Sequence, residues 1–290
     1  MKVATHDGLF HADECFAIAV LYLLKLIDKV FRSRDPKLLE EADLRIDVGG
    51  KSDPTTGDFD HHQKGGAGFR DNGVPYASFG LVWKQYGTLA CNGDEEVARL
   101  VDEGLVQAVD ATDCGFALYG DPKVSGIEQA SVSAAISALN PGWNEENAVA
   151  DFQRAFEMYA VNLAMTILSR EIARASGAVL ARDLVRNAMA QAADPRLIML
   201  LRFLPWTEIV VAEAPAALFV VFPDPKGEWR IQAIPPSIGS FGQRKPLPES
   251  WAGKRGAELA TITGVEDSVF CHPQRFIAGA KTREGVLKLA

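Results

Sequence analysis

Apolar positions in this chain fall in short blocks near its start and in longer, helically spaced runs through its middle. Residues 2–5 read as a strand, 13–27 as a helix, 30–34 as a second strand, and 44–48 as a third strand that Gly49 and Gly50 break. Pro36 opens a short helix over 36–42, where its fixed φ suits the first turn. A fourth, very short strand leads into Asp60. Strands alternating with helices predict βαβ units and a parallel sheet. Residues 77–86 and 94–111 read as helices, the second from Val97, Leu100, Val101, Leu105 and Ala108 at helical spacing. Residues 131–139 form another, stopped by Asn140-Pro141-Gly142, and 151–175 a long one expected to bridge two domains. Beyond it, 218–222 and 229–234 read as paired strands, and a terminal helix begins at Thr282. The fold class is therefore α/β: an N-terminal domain over residues 1–175 with a mainly parallel sheet flanked by helices, and a smaller α+β domain over 176–290. The stretch from 175 to 215 is the soft part of that division.

Composition adds limits. A chain of 290 residues is long enough for two cores, and 48% apolar with 23% charged residues is ordinary for a globular protein. The longest apolar run, 16–24, is too short for a bilayer, which takes roughly 20 residues. No charged and then apolar leader opens the sequence, and Cys15, Cys91, Cys114 and Cys271 form no CxxC pair, so the expectation is a cytoplasmic protein with reduced thiols. The net charge of −8 argues against general duplex binding. The charge is uneven: residues 221–290 carry ten Lys and Arg against seven Asp and Glu, leaving 20 basic and 31 acidic residues before them. A basic segment facing an acidic, metal-binding one suits an anionic substrate, and an unevenly charged solvated surface accounts for the same numbers.

The chemistry concentrates at the histidines. All five lie in three short segments: Thr5-His6-Asp7-Gly8-Leu9-Phe10-His11-Ala12-Asp13-Glu14, Asp58-Phe59-Asp60-His61-His62-Gln63, and Cys271-His272-Pro273. Mixed imidazole and carboxylate donors are what divalent metals require. His6, Asp47 and Asp60 each fall at the C-terminal end of a predicted strand, the edge where open α/β sheets bind ligands. Asp13 alone reads as a helix cap; beside His6 and His11 it reads as a ligand. Asp47, followed by two glycines that permit a tight turn, is a candidate bridge between two metals. His61 and His62, adjacent on an extended segment, are expected to point opposite ways, one to a metal and one to substrate. Asp110 and Asp113 share a helix face, with Asp110 placed ahead as a ligand and Asp113 as its supporting partner. Gly65-Gly66-Ala67-Gly68, between Lys64 and Arg70, is a phosphate cradle or simply a pliant loop. Arg244, His272 and Arg275 sit in basic loops that a phosphate substrate would need opposite the metals.

These segments resemble the DHH phosphoesterase superfamily, and more closely the Myg-type (melanocyte proliferating gene) family of metal-dependent hydrolases. Further marks of that resemblance are Asp47-Val48-Gly49-Gly50, Gly80-Leu81-Val82-Trp83, Leu139-Asn140-Pro141, Pro205-Trp206, Leu247-Pro248-Glu249-Ser250-Trp251 and the stretch 276–279. The resemblance implies a DHH-type catalytic domain with two divalent metals, foremost Mn²⁺ with Mg²⁺, Zn²⁺ or Fe²⁺ as alternatives, and a C-terminal substrate domain. It implies His6, His11 and Asp47 at one metal, and Asp13, Asp47, His61 and Asp110 at the other. Asp60 and His62 would be the catalytic pair, with His62 facing the scissile phosphate and His272 in a substrate loop. His11 stands where relatives commonly carry an aspartate, and the added imidazole shifts preference toward Zn²⁺ or Fe²⁺.

The expectation is a dinuclear phosphoesterase, a 3′–5′ exonuclease on short single-stranded RNA or oligonucleotides, with Arg244, His272 and Arg275 on the substrate. No membrane or extended duplex is expected as a partner, and the reading admits a homodimer. Its rivals are a pyrophosphatase or small-nucleotide phosphatase on the same metals, and a non-enzymatic, metal-stabilised binding protein.

Overall fold

Lys2–Thr5 (β1) exposes its lysine and buries the next three side chains, and the chain then turns into Ala12–Leu23 (α1). That helix is buried from Ala12 through Leu21, which explains its nearly continuous apolar sequence: it has no solvent face to encode. Lys29–Arg32 (β2), Pro36–Glu40 (α2), Leu44–Ile46 (β3), Ser52–Asp53 (β4) and Asp58–Phe59 (β5) follow. The five strands form one sheet in the order β2-β1-β3-β5-β4, parallel throughout except for β4 against β5. Ser78–Ala90 (α3) packs on α1, with the Phe16 and Phe79 rings stacked at 5.0 Å. The computed structural model describes residues 1–120, 124–127, 129–145 and 148–290, without the side chains of 148–151.

The single helix expected over 94–111 is three pieces: Glu95–Val101 (α4), a π-helical turn at Asp102–Val106, and Gln107–Asp113 (α5). A π turn carries one residue more than an α turn and so rotates everything after it about the axis. Val132–Ser137 (α6) follows, and then Ala148–Ala155 (α7), a second π turn at Phe156–Ala160, and Val161–Ala190 (α8). The long helix thus runs well past residue 175. The chain divides into two compact units, Met1–Ser176 and Gly177–Ala290.

The second unit holds Leu197–Met199 (β6), Thr207–Glu213 (α9), Phe219–Pro223 (β7), Trp229–Ala233 (β8), Gly256–Thr263 (α10), Ser268–Cys271 (β9), Ile277–Ala280 (β10) and Arg283–Lys288 (α11). Its sheet runs β6-β7-β8-β10-β9 and is antiparallel except for β6 with β7. Side chains alternate across a strand, so Phe219 and Val221 enter one core with Ile231 and Leu259, while Val220 and Phe222 enter another with Trp206 and Val210. Both faces of β7 are buried, which is why it reads as an unbroken apolar run. The sequence pattern leaves out strands β6, β9 and β10. In β10, a Cβ on Gly279 would lie 2.3 Å from the Arg230 guanidinium, so glycine stands where a β-branched residue would have announced a strand. Among the described residues, no helix is long and apolar enough to cross a membrane.

Candidate metal centre

Three neighbouring parallel strands deliver side chains to one edge of the first sheet. His6 follows β1, Asp47 follows β3 and Asp60 follows β5. Asp47 adopts φ 56°, in the left-handed region, and Gly49 and Gly50 continue the turn at φ 102° and 68°. A non-glycine residue held there costs about 1–3 kcal/mol, though aspartate tolerates it better than most. The loop from His6 to His11 is pinned from outside: Asn140 Oδ1 accepts from the Phe10 N–H at 2.9 Å, and Asn140 Nδ2 donates to the Phe10 carbonyl at 2.8 Å. His11 caps α1, and the Glu14 carboxylate accepts from the His11 backbone N–H at 2.9 Å. Asp13 and Glu14 therefore lie buried in the first turn of α1, where the helix dipole favours carboxylates.

Around these segments lie three overlapping sets of ligand atoms, each within 4.8 Å of one another: His6, His11, Glu14 and Asp47; Asp47, His61 and His62; and His11, Asp13 and Asp113. His6 Nε2 is 3.0 Å from Glu14 Oε1 and 3.3 Å from Asp47 Oδ2. His61 Nε2 is 3.0 Å from Asp113 Oδ2, 3.3 Å from Asp47 Oδ1 and 3.9 Å from Asp13 Oδ2. Asp47 thus reaches both histidine groups, and Ser78 Oγ donates to its Oδ1 at 3.2 Å.

The fit of this donor set to metal ions rests on what the chain leaves unbonded. Both ring nitrogens of His6, both carboxylate oxygens of Asp13, Asp47 Oδ2 and His61 Nε2 are buried without a well-formed hydrogen bond. Buried polar atoms are almost always paired, and leaving one bare costs about 1–3 kcal/mol, more if charged. Nitrogens and oxygens close together yet not bonded to each other are arranged around shared points, as ligands of a cation are. Electrostatics agrees. Burial would lower His6, but Asp47 and Glu14 raise it to about 9. Against burial, Asp113 and Asp47 raise His61 further still. Burial and the charges of Asp47, Asp113 and Glu14 push Asp13 well above the usual carboxylate range. Although burial opposes it, His6, His61 and His62 hold Asp47 far below that range. Protons here occupy places that cations would take.

His61 and His62 do not point opposite ways: their rings lie 4.4 Å apart at 48°. The chain has left β5 at Phe59, and Asp60 Oδ1 accepts from the His62 N–H at 3.1 Å, a local turn that ends the extended alternation. Asp60 also takes the Gly50 N–H at 2.6 Å and faces His62 Nδ1 at 2.8 Å. One of its oxygens thus holds His62 and the other Gly50. His62 itself is 58% exposed and lines a cleft of about 510 Å³ with Arg34, Gly49 and Gly50. A smaller cleft of about 230 Å³ joins Arg34 to His6, His11 and His62.

Other expected site residues lie differently. Asp110 is not in any of the three sets: it meets Arg70 at 2.8 Å and accepts from the Gly80 N–H at 2.9 Å. A Cβ on Gly80 would lie 1.9 Å from Asp110 Oδ2, so glycine lets this carboxylate into the helix. Asp113, one turn later, faces His61 instead. In the second unit, Arg244 donates to the carbonyls of Val211, Ala214 and Ala217 at 2.6–3.0 Å, fastening the C-terminal end of α9. Its donors serve the fold rather than a solvent-facing anion site. Arg275, at φ 61°, reaches toward the Leu247 carbonyl at 3.5 Å, and His272 lies against Phe276 at 4.5 Å with Nδ1 accepting from the Gln274 N–H. Sequence reasoning missed Glu14, Arg34 and the Asn140 clamp. Glu14 had a visible signal, standing three residues after His11 in the position of a capping box.

The chain matches the MYG1_exonuc family, described as an uncharacterised protein family (UPF0160), over residues 2–290. A MYG1 protein of Dictyostelium discoideum is 33% identical over 100% of this chain and 95% of its own length. The MYG1 exonuclease of Homo sapiens is 33% identical, covering 100% of this chain and 84% of that relative. The MYG1 protein YER156C of Saccharomyces cerevisiae is 34% identical, covering 100% and 94%. Among solved structures, a pGpG-specific phosphodiesterase, PggH from Vibrio, covers 96% of this chain and 92% of its own at 12% identity and a TM-score of 0.32, a likeness too distant to argue from.

Proposed function

The chain belongs to the MYG1_exonuc family, and from that premise we propose that it is a metal-dependent phosphoesterase, a 3′–5′ exonuclease on short single-stranded RNA or oligonucleotides. Relatives named exonucleases, aligned over the whole of this chain, support the nuclease part of the reading. The observation that carries the metal dependence is the set of buried, unbonded donors of His6, Asp13, Asp47 and His61 at one sheet edge. Two divalent cations, foremost Mn²⁺, would be held by His6, His11, Glu14 and Asp47, and by Asp47, His61, Asp13 and Asp113, which gather around His61 Nε2. Bound there, they would supply Lewis-acid polarisation of a phosphoryl oxygen and ease the deprotonation of water near neutral pH.

The chain's own residues have distinct tasks in this reading. Asp47 serves both sets, so its strained turn fixes their separation before substrate arrives. Asp60 occupies Nδ1 of His62 and leaves Nε2 as the nitrogen for a phosphoryl oxygen in the cleft. Arg34, 59% exposed and paired with Asp7 at 3.0 Å, lines both clefts beside the centre. Its planar fork matches phosphate oxygens, and the exposed pair with Asp7 is worth little enough to exchange for them.

The test is hydrolysis of an end-labelled RNA oligomer by purified protein with Mn²⁺, Mg²⁺, Zn²⁺ or chelator, beside Asp47→Asn. Mononucleotides released in a metal-dependent way, and absent in the variant, are expected. Inorganic phosphate from pyrophosphate with intact RNA would instead move the activity to small phosphoesters.

A further inference from the structure

The glycine-rich loop after the histidine pair borders a third cleft, of about 400 Å³. His61 forms one side, and Phe69, Tyr76, Cys114 and Phe116 form much of the rest. Phe69 is 67% exposed and Phe116 41% exposed. A large aromatic left in water forgoes about 1.5–3 kcal/mol of burial, so two beside one cleft ask for an occupant.

Both rings are presented from fixed backbone. Phe69 bridges to Pro75, the Arg70 N–H donates to the Val74 carbonyl at 2.9 Å, and the Tyr76 N–H donates to the Gly68 carbonyl at 3.0 Å. The Phe116 N–H donates to the Ala111 carbonyl at 2.7 Å, fastening that ring to the end of α5. Tyr76 is backed by Lys84 at 5.2 Å and by Arg70 at 4.3 Å from its ring centre, the latter paired with Asp102 and Asp110. No acidic residue lines the cleft among the described residues. Gly65, Gly66 and Gly68 all have φ between 70° and 92°, and added Cβ atoms there would meet nothing within 4 Å, so the loop keeps this mouth open.

His61, which faces Asp47 and Asp113, lines the cleft together with both rings, and only Cys114 and Gly115 separate Phe116 from Asp113. An occupant of the aromatic cleft would therefore be a flat group joined by a short linker to whatever lies at His61. We infer that this cleft is a nucleobase subsite, which takes a base by stacking on Phe69 and Phe116 while the attached phosphate lies at the metals; the inference rests on the phosphoesterase reading for the position of that phosphate. Stacking without hydrogen-bond readout is tolerant of sequence. A subsite of this kind selects nucleotides over pyrophosphate, which has no group to place there.

The experiment is equilibrium binding of AMP and of ribose 5-phosphate to the Mn²⁺-reconstituted protein, read by calorimetry without turnover. AMP is expected to bind at least about fivefold more tightly, the low end of base stacking on an aromatic side chain. Phe69→Ala and Phe116→Ala should each shrink that preference and leave ribose 5-phosphate affinity unchanged, while Phe69→Trp retains it. Equal affinities in the parent protein, no binding of either ligand at millimolar concentration, or variants that weaken both ligands alike would overturn the subsite. A base-dependent preference in a protein that hydrolyses no RNA would sink the exonuclease and leave the subsite standing.

Discussion

The Asp47 cluster and the Arg70 cluster lie in the same unit, draw on buried carboxylates at helix and strand ends, and differ in where their positive charge comes from. Arg70 meets Asp110 and Asp102, each at 2.8 Å, and lies over Tyr76 at 4.3 Å. The chain supplies that cation itself, and Gly80 makes room for the carboxylate it neutralises. Around Asp47 the carboxylates of Asp13 and Glu14 are equally buried, yet Asp13 has no hydrogen-bond partner and the neighbouring histidines draw up protons. A buried carboxylate without a partner is costly, so one cluster is neutralised by the chain's own arginine and the other is left with groups that a metal ion could pair.

Breaking the complete cluster should have the largest effect. Arg70→Met leaves Asp110 buried without its cation and should cost about 3–5 kcal/mol in urea denaturation, with metal stoichiometry unchanged. Adding Asp110→Asn should recover part of that loss; no recovery would mean the arginine acts mainly through Tyr76 and Asp102. Breaking the open cluster should look different. Asp47→Asn should lower hydrolysis about 100-fold, or about 2.7 kcal/mol.

How far each cluster could be read from sequence follows from local geometry. His6, Asp47 and Asp60 stood out because each follows a short apolar strand, and parallel neighbours must bring such ends together. The Asp110 and Asp113 pair was legible as a helix face but not in its phase, since the π turn at Asp102–Val106 has no sequence mark that periodicity detects. After that turn Asp110 aims at α3 and Asp113 at His61. Asp60 and His62 looked extended until the side chain of Asp60 bent the backbone. Arg244 looked like a free loop cation, because sequence does not show the carbonyls at the end of α9 that take up its donors. In the second unit β7 was legible through its double burial, whereas β10 was hidden by its glycine and alanines.

Two smaller effects sharpen the contrast. His6 is raised to about 9 by Asp47 and Glu14 against its burial, and His61 further still by Asp113 and Asp47, so ions entering the stripped centre must displace protons. Mn²⁺ affinity should therefore weaken as pH falls from 9 to 6, by about tenfold per unit for each proton displaced, as followed by calorimetry across that range. A pH-independent affinity would mean that these imidazoles stay outside the coordination. Arg34→Ala should raise KM for an oligonucleotide about fivefold with kcat and metal content nearly unchanged, the pattern of lost ground-state binding.

The most direct measurement is a calorimetric titration of Mn²⁺ into chelator-stripped protein, alongside Asp47→Asn. The account predicts saturable binding of about two ions per chain, a rise in melting temperature on loading, and loss of both in the variant. Binding no greater in the folded parent protein than in Asp47→Asn would contradict it, and the buried donors at the sheet edge would then need another explanation.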